Sequence, residues 1–426
     1  MSTAAFLKDF HHVATIGATA NNGVDRQAAT PDDARTRDWF ASRVRHAGWE
    51  LRVDTIGNMF GLLEWTPGAP FVVIGSHLDS QPLGGRFDGA YGVIAAMHAA
   101  RTIDAEVTES GMAPRFNLAV VNWFNEEGGR FAPSVMGSSV FTGLFDREAM
   151  LNVTDLQGVS VREALAGIGY LGTDNGPEVA GYAEIHIEQG RILERESINI
   201  GLVDRSWYTQ KLDIEVLGEQ SHTGATAMAD RHDALVAASK IILMVHDVTA
   251  DFPEEALVSS VGQLTLEPNS PIVVARRVRL VADLRSGDPE VVKAARDSLL
   301  RDIDALARDH DIKVNVKDFD IRPIRRFPEA GIDLAAQVAD SIGLSSRRIQ
   351  TMAGHDSVAM NTMVPSIMLF IPSVDGVSHC EREFSTDADM ADGLDMLTGV
   401  ARQLVHGALA TSEMAVAGTS AAGGVA

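Results

Sequence analysis

The feature that most constrains this chain is the stretch 72–93, VVIGSHLDSQPLGGRFDGAYGV. It opens in an apolar run, Phe71 to Ile74, with the length of a buried strand. It then presents His77, Asp79, a turn containing Gly84 and Gly85, and Asp88, and continues into an apolar segment of helical character. An open α/β sheet carries its chemistry at the carboxyl ends of its strands, which is where these side chains fall. His77 and Asp88 read as metal ligands, and Asp79 as the carboxylate that orients the His77 imidazole. The competing reading is a loop with a capping Asp and an ordinary histidine. This stretch alone leaves the two even.

The same pattern recurs along the chain. Phe6–Ile16 reads as a short helix. Thr30-Pro31-Asp32-Asp33 is a helix start: an N-cap, Pro at the first helical position, and acids near the positive end of the dipole. Strands are expected at Glu50–Asp54, Met59–Glu64, Phe71–Gly75, Asn117–Phe124 and Tyr182–Ile187. The last two end in Asn125-Glu126-Glu127-Gly128-Gly129 and His186-Ile187-Glu188-Gln189-Gly190. Strands alternating with helices predict a sheet between helix layers. Near Arg205 the pattern changes. Trp207–Leu217 alternates apolar and polar residues, and is followed by a helix at Asp230–Val248, strands at Val258–Leu266 and Ile272–Arg285, a helix at Pro289–Asp309 and a strand at Ile312–Phe319. The order β-α-β-β-α-β predicts a ferredoxin-like unit. From Phe327 the earlier style returns, including Ser366–Ile371.

The expected fold is therefore α/β: a mixed-sheet catalytic domain from 1–205 and 327–410, with a ferredoxin-like α+β domain, 206–326, inserted into it. The segment 411–426, rich in Ala, Gly and Ser, is expected to be disordered. At 426 residues the chain exceeds one ordinary core, in keeping with two domains. Its net charge of −22 disfavours nucleic acid and anionic membranes as partners. It leaves room for an anionic small substrate, because local cations can invert the field in one cleft. One cysteine, Cys380, precludes an internal disulfide and fits a reducing, cytoplasmic setting. The first residues lack the pattern of a signal peptide, and no apolar run is long enough for a membrane span.

Four strand ends carry ligand-type residues: His77 with Asp88, Glu126-Glu127, His186, and later Ser378-His379. Three His, one Asp and one Glu form a borderline N/O set suited to Zn²⁺, Mn²⁺, Co²⁺ or Ni²⁺. Five ligands suit two divalent ions about 3.5–4 Å apart that share a bridging carboxylate. Of the adjacent acids Glu126 and Glu127, one can bind metal while the other handles protons.

The segments GSHLDSQPLGGRFDGAYGV, NEEGGRFAPSVMGS, HIEQGRILE, SHTGATAM, AGHDS and SHCEREF together resemble the M20 metallopeptidase clan. Within it they resemble the hydantoinase/carbamoylase amidases: N-carbamoyl-L-amino-acid hydrolases, β-ureidopropionases and allantoate amidohydrolases. The resemblance implies that Asp88 bridges two ions, that His77 and His186 complete one site, and that Glu127 and His379 complete the other. It implies Glu126 as general base and acid. It makes His222 a histidine that reaches across a homodimer to stabilise the tetrahedral oxyanion, and the 206–326 unit a dimerisation or lid domain. Arg285 would clamp the substrate carboxylate, with Gln189, Lys211 and the Gly354-His355 turn lining the pocket. His355 beside Asp356 reads equally as an N-cap pair. His11, His12, His98, His232, His246 and His310 read as structural or surface residues.

The chain departs from the family pattern around the specificity pocket. Ile272 stands where the family has an Asn that helps hold the substrate carboxylate, and Thr209-Gln210-Lys211 stands where it has Gln-Arg-Arg. The expected activity is cleavage of the C–N bond of an N-carbamoyl-L-amino acid or a closely related N-acyl or ureido acid. Alternatives within the family are allantoate, N-carbamoyl-β-alanine or a non-carbamoyl N-acyl amino acid. Outside it stand a clan dipeptidase and a non-catalytic metal-binding scaffold.

Overall fold

The computed structural model describes residues 3–410. The segment 411–426, expected to be disordered, lies outside the described residues. The described residues divide into two compact units, 3–204 with 326–410, and 205–325.

The first unit is built on an eight-stranded mixed sheet. Its strands lie in the order Glu50–Val53, Met59–Leu63, Asn117–Trp123, Phe71–His77, Val179–Ile187, Ser366–Ile371, Ile200–Ser206 and Ser346–Thr351. The four central strands are parallel, and Met59–Leu63 and Ile200–Ser206 join them antiparallel. The central strands are buried on both faces, which is why they read as continuous apolar runs. Their side chains alternate between two cores. Val72, Ile74, Leu118 and Val120 face the cluster that contains the helix Ala90–Ser110, whereas Val73, Ala119 and Val121 face a cluster with Trp123, Tyr182 and Met360.

The helix Ala90–Ser110 is buried along its first three turns and packs against the helix Asp387–Val405. The helix Pro31–His46 starts as its sequence predicts, with the Thr30 hydroxyl accepting the Asp33 N–H at 3.3 Å. Inside it, Arg37 and Asp33 form a buried ion pair at 2.8 Å, and Arg37 also donates to the Gly57 carbonyl. The first helix runs over Thr3–Val13, three residues earlier than Phe6–Ile16. No helix among the described residues is long and apolar enough to cross a membrane.

The second unit has a four-stranded antiparallel sheet in the order Lys313–Arg322, Tyr208–Leu217, Arg277–Ser286, Val258–Glu267. With the helices Ala234–Asp247 and Pro289–Asp309 it follows β-α-β-β-α-β connectivity. Leu212, Ile214, Val216, Val278, Leu280, Ala282 and Leu284 turn to the helices and are buried. The alternate residues form cross-strand ion pairs, Arg279 with Asp213 and Arg277 with Glu215. The strand expected over Ile272–Arg285 is broken. Val273–Val274 pairs with Ser221–His222, and pairing with the four-stranded sheet resumes only at Arg277. Arg276 marks the switch: its N–H bonds Glu267 and its carbonyl accepts the Gly218 N–H.

Candidate active site

The carboxyl ends of the parallel strands converge. Phe71–His77 ends in His77, Val179–Ile187 carries His186 next to its end, and the turn after Asn117–Trp123 holds Glu126 and Glu127. Asp88 precedes the helix Ala90–Ser110, and His379 lies in the loop after Ser366–Ile371. His77, Asp88 and His186 form one group with ligand atoms within 4.8 Å of one another, and Asp88, Glu127 and His379 form a second. Asp88 belongs to both. Its Oδ1 lies 2.9 Å from His186 Nε2 and 3.4 Å from His77 Nε2. Its Oδ2 lies 3.3 Å from His379 Nε2, and Glu127 Oε2 lies 3.3 Å from that same nitrogen. Glu126 falls outside both groups, with Oε2 3.5 Å from His77 Nε2.

The imidazoles are oriented from behind by main-chain carbonyls. His77 Nδ1 lies 3.0 Å from the Asp79 carbonyl oxygen and His186 Nδ1 lies 3.0 Å from that of Ile187. A carbonyl only accepts, so both Nδ1 atoms carry the proton and both Nε2 lone pairs face the cluster. Asp79, expected to orient His77 through its carboxylate, acts on two groups. Its carboxylate is 3.7 Å from His77 Nδ1 and instead accepts the N–H groups of Glu126 and Glu127, at 3.2 and 3.3 Å. Asp79 thus sets the backbone of the acid pair, while its own carbonyl sets the histidine.

His77 Nε2 is buried without a hydrogen-bond partner, while His186 Nε2 accepts the Gly89 N–H at 3.1 Å. A buried unpaired imidazole lone pair is costly unless something binds it. Three imidazole nitrogens with two carboxylates form the donor set of a divalent transition-metal site, so these residues fit such ions.

Charge is concentrated here. Among protein groups alone, burial pushes the Glu126 carboxyl well above the usual carboxylate range, with His77 opposing and Asp356, Glu127 and Asp88 adding. Burial likewise raises Glu127 to about 7. Burial works to raise Asp88 too, but His186, His379 and His77 hold it well below its ordinary value. His77 moves the other way from what burial dictates, because Glu126, Asp88 and Asp79 favour the imidazolium.

The remaining expected residues are distributed as follows. Gln189 donates from Nε2 to Asp88 Oδ2 at 2.7 Å and to Ser378 Oγ at 3.1 Å, and its Oε1 is buried without a partner. It therefore touches the Asp88 carboxylate directly. The His355 ring packs edge-on against His186, centroids 4.7 Å apart, with Nε2 buried and unpartnered. Burial holds its pKa well below the ordinary value. Gly354, half-buried, precedes it.

His222, Arg285 and Lys211 belong to the second unit. His222 is exposed, and its Nδ1 accepts the N–H groups of Gly224 and Ala225 at 3.0 and 3.1 Å, which leaves Nε2 to carry the ring proton. Arg285 is engaged by its own strand, with Nε and a terminal nitrogen on Asp283 at 3.0 and 2.8 Å. Lys211 pairs with Asp320 at 3.2 Å.

Sequence reasoning missed three residues of the cluster. Gln81 holds Glu127 through its amide Nε2 at 2.9 Å and its N–H at 3.1 Å. Glu383 and Ser378 support Asp88. All three sit inside segments singled out above, but nothing in their spacing distinguished them from loop polar residues.

The model of peptidase family M20/M25/M40 matches residues 73–403. A Mycolicibacterium smegmatis protein described only as a hydrolase is 50% identical over 410 residues, covering 95% of this chain and 93% of the relative. An N-carbamoyl-L-amino-acid amidohydrolase of Rhizobium meliloti is 33% identical over 94% of each chain. The crystal structure of a hydantoinase/carbamoylase family amidase from Burkholderia vietnamiensis superposes with a TM-score of 0.90 at 34% identity, covering 94% of this chain and 97% of that one.

Proposed function

Since the chain belongs to peptidase family M20, and within it to the hydantoinase/carbamoylase amidases, we propose that it is a two-metal amidohydrolase of N-carbamoyl-L-amino acids or closely related N-acyl or ureido acids. The observation that carries this reading is the division of Asp88: one oxygen faces His77 and His186, the other faces His379, with Glu127 beside it. His77, His186 and Asp88 would hold one divalent ion, and Glu127, His379 and Asp88 the second. Such ions supply acidification of water and charge stabilisation for a carbonyl oxygen.

The chain's own residues do the rest. Glu126 accepts the proton of the attacking water and returns it to the departing nitrogen, a role suited to a buried carboxyl with a raised pKa beside the cluster. His222, supplied by the second copy in a homodimer, donates its Nε2–H to the oxyanion of the tetrahedral intermediate. Arg285 would clamp the substrate carboxylate, exchanging its bond to Asp283 for the substrate, with Lys211, Gly354, His355 and Gln189 as further substrate contacts. In this reading the unit 205–325 serves for dimerisation. With a carbamoyl substrate the products are the amino acid, CO₂ and ammonia.

A panel of N-carbamoyl, N-formyl and N-acetyl amino acids, allantoate, N-carbamoyl-β-alanine and unblocked dipeptides tests the substrate class. Turnover concentrated on N-carbamoyl-L-amino acids is expected; none with any carbamoyl compound would end this reading. Glu126→Gln should lower kcat by about 10²–10⁴-fold with the metal content of the wild type. Unchanged turnover would remove Glu126 from the mechanism.

A further inference from the structure

Glu383 is buried at 3% exposure in the loop that also carries His379, and no part of the reaction scheme uses it. Its two oxygens face different segments. Oε1 accepts the N–H groups of Phe87 and Asp88, each at 3.0 Å. Oε2 accepts the Ser378 hydroxyl at 2.7 Å. Ser378 Oγ also lies 3.1 Å from Asp88 Oδ2, and Gln189 Nε2 lies 2.7 Å from Asp88 Oδ2 and 3.1 Å from Ser378 Oγ.

The protons of this cluster can be assigned by counting donors. The Gln189 amide has two N–H groups, one for Asp88 and one for Ser378 Oγ. Ser378 has one proton, and the shorter contact sends it to Glu383. Asp88 Oδ2 therefore accepts from Gln189 while the serine proton is kept off it, so more of its charge stays available to a cation. The packing leaves Glu383 no freedom: a Cβ on Gly85 would fall 2.0 Å from Oε1.

We infer that Glu383 is a positioning residue for metal binding: through the Phe87 and Asp88 amides it ties the Asp88 backbone to the loop that carries His379, and by holding the Ser378 proton it fixes the turn next to His379. This rests on the two-metal reading. Glu383→Gln keeps an acceptor for the two backbone amides but turns an N–H toward Ser378, so the serine must give its proton to Asp88 Oδ2. Ser378→Ala removes the hydrogen bond that fixes the turn next to His379 and leaves the Glu383 bonds to the Phe87 and Asp88 amides in place.

The test is titration of chelator-treated protein with Mn²⁺ alone, read as dissociation constants and stoichiometry, together with the thermal midpoint of the ion-free protein. Both variants should bind at least one Mn²⁺ about 10–100-fold more weakly than the wild type, as loss of a partner behind a metal ligand does, with ion-free midpoints near that of the wild type. Wild-type Mn²⁺ affinity in Ser378→Ala overturns the inference even if Glu383→Gln fails to fold. A wild-type protein that takes up no divalent ion overturns the two-metal reading and this inference with it. Wild-type binding with unaltered variants overturns this inference alone.

Discussion

At the scale of single residues, the candidate site depends on close approach as much as on ligand chemistry. Gly89 follows Asp88 with φ +62°, and a Cβ there would lie 2.3 Å from the His77 ring. Its N–H also bonds His186 Nε2. Gly89→Ala should therefore displace His77, weaken divalent-ion binding at least tenfold and cost roughly 1–3 kcal/mol of stability from the strained backbone. Metal titration alongside urea unfolding checks both parts. The residues that cluster here were legible in the sequence because His, Asp and Glu at the ends of apolar runs are conspicuous. Their supports were not. The Asp79 carbonyl, rather than its carboxylate, orients His77, and no sequence pattern distinguishes a main-chain acceptor from a side-chain one. Glu383 and Gln81 act through the cluster only because distant loops fold onto it.

At the scale of elements, apolar strands and their capped helices were readable because each carries a local signal. The Thr30-Pro31 helix start and the Leu212, Ile214, Val216 alternation both appear in the structure as expected. The strand over 272–285 was not, because apolar residues stand on both sides of Arg276, where the chain changes sheets, and periodicity is blind to a change of partner. The turn after Glu50–Val53 shows a local device that makes its own prediction. Asp54 is buried and accepts N–H bonds from Ile56 and Asn58 and from the Asn58 amide. Burial nevertheless raises its pKa to about 6, from 3.8. Between those values the folded chain keeps a proton that the unfolded chain has released, so this contribution to stability is complete below about pH 4 and is lost as pH rises to about 6. The change is of order 2–3 kcal/mol. Urea unfolding between pH 4.5 and 6.5 should show a fall in stability that is shallower in Asp54→Asn; equal slopes would exclude Asp54 as its source.

At the scale of the whole molecule, the proposed mechanism places Glu126 and His222 of one active site on different copies of the chain. Glu126→Gln and His222→Ala should each be inactive as purified homodimers. Once subunits exchange, the mixed dimer regains one intact site, so an equal mixture should recover up to about a quarter of wild-type turnover. A mixture as inactive as its components, with exchange verified, would place both residues in one chain's site. The proposal also joins dispersed segments, from His77 to His379, into one ion-binding centre, which makes bound metal the quantity that everything else presupposes. The most direct measurement is elemental analysis of the purified protein, paired with turnover before chelation, after it, and after divalent ions are restored. The expected result is two divalent ions per chain, loss of turnover in step with their removal, and its return on reconstitution. Full turnover by protein shown to be free of metal would contradict the account.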